Sequence, residues 1–258
     1  MQAGDRTDPK AVMRMLNLEI VKNYDELSDR AAAKVAALVK EKRDAVLGLA
    51  TGATPEGMYA RLVRMHRAEE VSFSSVTTFN LDEYESLPPG HPQSYHYYMH
   101  RHFFSHINIS PQRINIPLCS GLSVEAFCLD YDSRIEAAGG IDLQILGIGS
   151  NGHVGFNEPA NSLLLGTHLV ELAEETIRDN SRHFDSPGDV PRRAITMGIG
   201  SIMQAGEIVL LASGKGKARA IADSLSGRVT TAVPASLLQL HPRVTFIIDR
   251  EAASIIEP

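Results

Sequence analysis

Apolar and polar positions along the chain fall into two kinds of pattern. Val46–Ala50, Leu143–Leu146, Ile208–Ala212 and Val244–Ile248 are short, almost continuous apolar runs with glycine or polar residues at their ends. Such runs predict strands buried on both faces. Val76–Asn80 reads as a further strand and Leu18–Val21 as a short edge strand. Between these runs apolar residues return at helical spacing. Leu27, Ala31, Val35, Leu38 and Val39 share one face, with Lys and Glu opposite, behind a capping-box-like Asn23…Glu26 start. Met58, Leu62 and Met65 share another, with Pro55 in the first turn. Ser94–Phe104 predicts a helix with Tyr95, Tyr98, Met99 and Phe103 inward; Val124–Ala138 predicts one ended by Gly139-Gly140. Ala194–Met197 leads through Gly198 and Gly200 into a short helix, and Pro234–Leu240 reads as a helix. Leu163–Thr176 has no clear period and is compatible with short strands. Asn180-Ser181-Arg182 precedes a Pro/Gly loop, Ser186–Pro191.

Strands alternating with helices predict an α/β fold with a three-layer, mostly parallel, doubly wound sheet of Rossmann-like type. We expect one domain over residues 18–258 and a disordered N-terminal extension over 1–17, where Gln2–Pro9 is polar.

The chain is organised around Ile141–Pro159, IDLQILGIGSNGHVGFNEP. A buried strand runs into a turn with Gly147, Gly149 and Gly152, whose missing side chains let backbone approach a ligand. His153 and Glu158, both able to move protons, follow at once. The spacing Gly147-x-Gly149-x-x-Gly152 also matches a dinucleotide fingerprint, but that needs a helix opening at the third glycine. Val154–Pro159 lacks helical spacing, and Pro159 disfavours helix just before it. No nicotinamide or flavin cofactor is therefore expected.

Composition narrows the function. The 258 residues are 43% hydrophobic and 22% charged, enough for a large core. A net charge of −6 argues against a nucleic-acid partner, and no basic run suggests a membrane surface. Cys119 and Cys128 imply no disulfide framework, and no apolar run reaches membrane-spanning length, so a cytoplasmic protein is expected.

Other strand ends carry complementary chemistry. Thr51-Gly52-Ala53-Thr54-Pro55 places amides and hydroxyls at a helix start, a ready anion site, without the G-K-[ST] of a Walker loop. Asp82, Glu83 and Glu85 follow the strand Val76–Asn80; a parallel sheet would point Asp82 into the crevice of His153. Ser213-Gly214-Lys215-Gly216-Lys217 opens a later helix with cations. His96/His100 and His102/His106 have zinc-pair spacing, but lack the H-E-x-x-H glutamate and a placed cysteine, so no metal is expected. No G-x-S-x-G elbow is present. Thr51–Thr54, Arg182 and Lys217 favour a phosphate monoester, while Asp82, His153 and Glu158 are acid/base equipment. The residues point to proton transfer on a small phosphorylated substrate.

GLATGATPEGMY, TTFNLDEY, SYHYYMHRHFF, LGIGSNGHVGFNEP, NSR, SGKGKARA and LLQLHP resemble, in order from Leu18 to Asp249, the glucosamine-6-phosphate deaminase family. The related 6-phosphogluconolactonases share the sheet and a similar glycine turn but lack Phe156–Pro159. The resemblance implies conversion of glucosamine 6-phosphate and water to fructose 6-phosphate and ammonia, in amino sugar catabolism. It implies ring opening by His153 with Glu158 and Asn151, proton transfer from C2 to C1 by Asp82, and phosphate held by Thr51, Gly52, Ala53, Thr54, Arg182 and Lys217. Three positions depart from the family. Asn151 stands where many members have Asp. Ala53 replaces a glycine. The segment Asn161–Val170 has no Arg or Lys, whereas effector-activated members carry a basic cluster there. The expected partner is an amino sugar phosphate, for a monomer or a homo-oligomer. Galactosamine 6-phosphate is the alternative substrate, since C4 epimers need only small pocket changes. A non-catalytic phosphosugar sensor is a further alternative; the stretch before Leu18 is too short for a helix-turn-helix, and Asp82, His153 and Glu158 together favour catalysis.

Overall fold

The computed structural model describes residues 17–118, 123–181, 184 and 186–256. Residues 1–16, Cys119 and Arg182 lie outside the described residues. In chain order the elements are β1 (Asn17–Val21), α1 (Tyr24–Glu41), β2 (Val46–Leu49), α2 (Ala53–Arg67), β3 (Thr77–Asn80), β4 (Asp82–Tyr84), α3 (Tyr95–His102), β5 (Ile114–Asn115) and α4 (Val124–Ala137). There follow β6 (Leu143–Leu146), β7 (His168–Glu171), α5 (Glu174–Ser181), β8 (Arg193–Thr196), α6 (Ile199–Met203), β9 (Glu207–Ala212), α7 (Ala218–Ser224) and β10 (Val244–Asp249).

Seven strands form one sheet in the order β1-β10-β9-β6-β2-β3-β5, every pair parallel. Side chains alternate between its faces, as strand geometry requires. Val209 and Leu211 of β9 pack with Leu27, Val35, Met58 and Leu62 of α1 and α2. Ile208, Leu210 and Ala212 pack with Phe127 and Tyr131 of α4 and Ile221 of α7. Both faces are thus covered, which is why the central strands read as almost continuous apolar runs. From β2 the chain winds outward to β3 and β5, then returns to β6 and winds the other way. The reversal lies between β2 and β6, and open α/β sheets bind ligands in the crevice at such a point.

Local signals explain the helix starts. Asn23 Oδ1 accepts from the Glu26 amide at 3.1 Å, as the capping box predicts. Glu26 itself reaches one residue further back, to the Lys22 amide at 2.9 Å. Ser94 and Ser123 cap α3 and α4 in the same way.

Two expectations need correction. The acidic run after β3 is not the end of that strand. It forms β4, which joins a second, antiparallel sheet in the order β4-β8-β7, with Asp82 opposite Thr196. A strand this short carries no readable period. Leu163–Thr176 contains β7 as expected, but α5 begins within it, at Glu174. Pro234–Leu240 is helical over the expected bounds, but as a 3-10 helix.

Candidate active site

At the reversal between β2 and β6 lies a cavity of about 380 Å³, lined by Thr51–Thr54, Asp82, His153 and Lys217 among others. Each comes from the chain just beyond a strand or from the small sheet. β2 delivers Thr51–Thr54, β6 delivers the glycine turn with His153, β9 leads to Lys217, and β4 supplies Asp82. The structure does not place Arg182, which lies outside the described residues.

The glycine turn does something the sequence did not reveal. A Cβ on Gly149 would lie 2.3 Å from the His153 ring, so Gly149 makes room for the imidazole as much as for a ligand. The turn closes on itself, with the Gly149 amide donating to the His153 carbonyl at 2.9 Å. No helix opens at Gly152, and Val154 instead forms an isolated bridge to Asn157.

His153 Nδ1 stands 3.2 Å from Glu158 Oε2, within ion-pair reach though not aligned as a hydrogen bond. Asn151 ties the two together. Its Nδ2 donates to Glu158 Oε2 at 2.8 Å, and its Oδ1 accepts from the His153 amide at 3.1 Å. Thr176, on α5, donates its hydroxyl to Glu158 Oε1. Burial pushes the Glu158 carboxyl up, but His153, Thr176 and Asn151 outweigh it and hold the group below its ordinary range. Asn151 suits this position because an amide donates where a second carboxylate would repel.

The F-N-E-P turn is locked from below. Asn157 Nδ2 donates to the carbonyls of Val154 at 3.0 Å and Met197 at 2.9 Å. The Phe156 amide donates to Thr196 Oγ1 at 3.1 Å, and Thr196 is the strand partner of Asp82. The second sheet therefore fixes the Asp82 carboxyl and the His153 imidazole relative to each other.

Asp82 is 7% exposed, and among the described residues no donor reaches its carboxylate. Burial, with a smaller contribution from the Glu83 charge, pushes its pKa up to about 8. Glu83 is different, although both are buried. Its Oε1 accepts from the amides of Tyr84 at 2.8 Å and Tyr95 at 3.0 Å. Its Oε2 accepts from the His96 amide and from His96 Nδ1, each at 2.9 Å. Glu83 thus caps the N-terminus of α3 and has no capacity to spare for a proton relay. His96 is engaged in that cap, and among the described residues no group of three or more His, Cys, Asp or Glu gathers to hold a metal. Nor is any helix among them long and apolar enough to cross a membrane.

An unpartnered carboxyl titrating near 8 defines a pH dependence. If Asp82 acts as a base it must be ionised, so kcat/KM should rise with pH up to a limb near 8, the free-enzyme value. The limb in kcat reports the same carboxyl in the enzyme–substrate complex. A pH profile flat from 6 to 9 in both parameters would remove Asp82 from the reaction.

Residues 22–246 match the family model described as glucosamine-6-phosphate isomerases/6-phosphogluconolactonase. A glucosamine-6-phosphate deaminase of Halothermothrix orenii is 60% identical over 244 residues, 95% of this chain and 100% of that protein. One of Thermoanaerobacter pseudethanolicus is 57% identical, covering 92% of this chain and 94% of its own. A solved monomeric glucosamine-6-phosphate deaminase superposes with a TM-score of 0.90 at 48% identity, covering 93% of this chain and 100% of that one. The 6-phosphogluconolactonase of Trypanosoma brucei, at 17% identity and a TM-score of 0.73, shares the fold. The chain therefore belongs to the family of glucosamine-6-phosphate isomerases and 6-phosphogluconolactonases, among its glucosamine-6-phosphate deaminases.

Proposed function

We propose that the protein converts glucosamine 6-phosphate and water to fructose 6-phosphate and ammonia, with Asp82 and His153 as its proton-transfer groups. The observation that carries this reading is their shared cavity. A buried, unpartnered carboxyl and an imidazole backed by a carboxylate face the same space, beside the N-terminus of α2. His153, oriented by Glu158 and Asn151, takes the O1 proton and delivers one to the ring oxygen, which opens the pyranose to the aldehyde. Asp82 then removes the C2 proton to give the enolamine and returns a proton to C1. Water adds to the resulting C2 imine and ammonia leaves. Thr51, Gly52, Ala53 and Thr54 hold the phosphate with amides and hydroxyls at the helix start, and Lys217 and Arg182 supply charge. A phosphosugar sensor would gain nothing from an ionisable group held near pH 8 without a partner, and this favours catalysis.

The direct experiment is ammonia release from glucosamine 6-phosphate and galactosamine 6-phosphate. Turnover of the first alone supports the assignment; preference for the second would shift it to the C4 epimer. We place the protein in the cytoplasm as a monomer, in keeping with the solved monomeric relative.

Two further results are expected. A guanidinium can hold a phosphate with two parallel hydrogen bonds that lysine cannot reproduce, and this is the role we propose for Arg182. Arg182→Lys should raise KM for glucosamine 6-phosphate about tenfold or more, and free glucosamine should be a very poor substrate. Equal rates on the sugar with and without phosphate would refute this site. The second concerns regulation. Asn161–Val170 offers a second phosphate no Arg or Lys. Rate curves should therefore be hyperbolic and unmoved by N-acetylglucosamine 6-phosphate; a sigmoidal curve that this compound straightens would show an effector site.

A further inference from the structure

Two tyrosine hydroxyls from different helices end on adjacent peptide groups of the phosphate cradle. Tyr98, on α3, donates to the Gly52 carbonyl at 2.7 Å. Tyr24, the first residue of α1, donates to the Ala53 carbonyl at 2.8 Å and accepts from the Gly57 amide at 2.8 Å. Ala53 carbonyl and Gly57 amide are the pair that an α-helix joins to each other, so the Tyr24 phenol sits in the first turn of α2. A side chain at 57 would block it: a Cβ there would lie 2.9 Å from the Tyr24 hydroxyl and 2.2 Å from Ser28 Oγ.

The consequence follows from peptide planarity. A trans peptide is flat, and its N–H points opposite its C=O; the described residues contain no cis peptide. The Gly52 carbonyl shares its plane with the Ala53 amide, and the Ala53 carbonyl shares its plane with the Thr54 amide. Fixing one end of each plane fixes the direction of the other. These two are among the amides that the helix start leaves without an intrahelical partner; Pro55, next in the chain, carries no N–H. A carbonyl that accepts a hydrogen bond also polarises its own amide and makes it a stronger donor.

We propose that Tyr24 and Tyr98 are positioning residues for the substrate phosphate, aiming the Ala53 and Thr54 amides into the cavity through the carbonyls they hold. This rests on the reading of Thr51–Thr54 as the phosphate cradle. It also accounts for alanine at position 53, since only the backbone of that residue is used.

The test compares Tyr24→Phe, Tyr98→Phe and the double variant with wild type and with Lys217→Gln. The readouts are Kd for inorganic phosphate by calorimetry, and KM and kcat for glucosamine 6-phosphate. Each single Phe variant should raise Kd and KM about fivefold, the worth of one hydrogen bond, with kcat within about a factor of two. The double variant should be weaker than either. A general loss of structure would instead lower kcat and the active fraction together, which the ratio of KM to kcat effects separates from lost aim. If Lys217→Gln weakens phosphate binding while both Phe variants bind it as wild type does, the tyrosines do not aim the cradle. If none of the variants changes Kd for phosphate, the cradle reading itself fails and the inference goes with it.

Discussion

Replacing Asp82 by asparagine is expected to lower kcat by about 10²–10⁴-fold with little change in KM for glucosamine 6-phosphate. Asparagine keeps the shape, so the cavity wall is unchanged, but it cannot take the C2 proton. Exchange of that proton with solvent should fall in step with turnover. The same substitution should stabilise the fold, in a pH-dependent way. The Asp82 pKa lies at about 8 in the folded chain against an ordinary 3.8, so between these values the folded state binds more protons than the unfolded one. Its stability then falls as pH rises through that window, and below it the two states are equally protonated. The full separation amounts to roughly 6 kcal/mol as an upper bound. Asp82→Asn should therefore melt about 5 °C or more above wild type at pH 8 and close to it at pH 4. An inactive variant with no gain in stability at pH 8 would mean that Asp82 is not held against its charge. Wild-type exchange at C2 would mean that it is not the base. Glu83 could not take over, because all its acceptor capacity is committed to the α3 cap.

His153→Gln is expected to lower turnover by about 10²-fold or more, with the opposite isotope signature. If His153 serves ring opening, its loss makes that step rate-limiting, and a deuterium at C2 should then have almost no effect on kcat. In Asp82→Asn the C2 transfer is the slow step, and the isotope effect should be fully expressed. Glu158→Gln should resemble His153→Gln more weakly, since it removes the charge 3.2 Å from the imidazole and leaves the ring in place. A full isotope effect in His153→Gln would assign the imidazole to the C2 proton and overturn the division of labour between the two groups.

Much of this was legible in the chain. The apolar runs marked the central strands of the large sheet, because a strand covered on both faces is apolar at nearly every position, while the two-residue edge strand β5 was not read. The glycine turn and the threonine loop declared themselves because amides that approach ligands need small residues and helix starts. Asp82 was singled out in the sequence, but the role of Glu83 was not, since neighbouring carboxylates in a strand point to opposite sides and only the tertiary fold brought one side to the α3 amides. The α5 helix was missed because its eight residues carry mostly polar side chains, and with it the Thr176 hydroxyl on Glu158. Tyr24 belonged to no motif and Tyr98 was read only as an inward-packing residue, because their hydroxyls are brought to one loop by helices far apart in sequence.

The sequence by itself determined the layered parallel sheet, the strand ends that carry chemistry and the kinds of groups found there, because periodicity and glycine placement are local properties. Only the tertiary structure decided which groups meet. The Asp82 carboxyl is set against Gly155 and Thr196 by pairing between β4 and β8. The imidazole rests over Gly149, and two phenols hold the first turn of α2. The physical reason is desolvation: the proton affinity of a carboxylate depends on what excludes water from it, and those residues come from strands and loops distant in the chain.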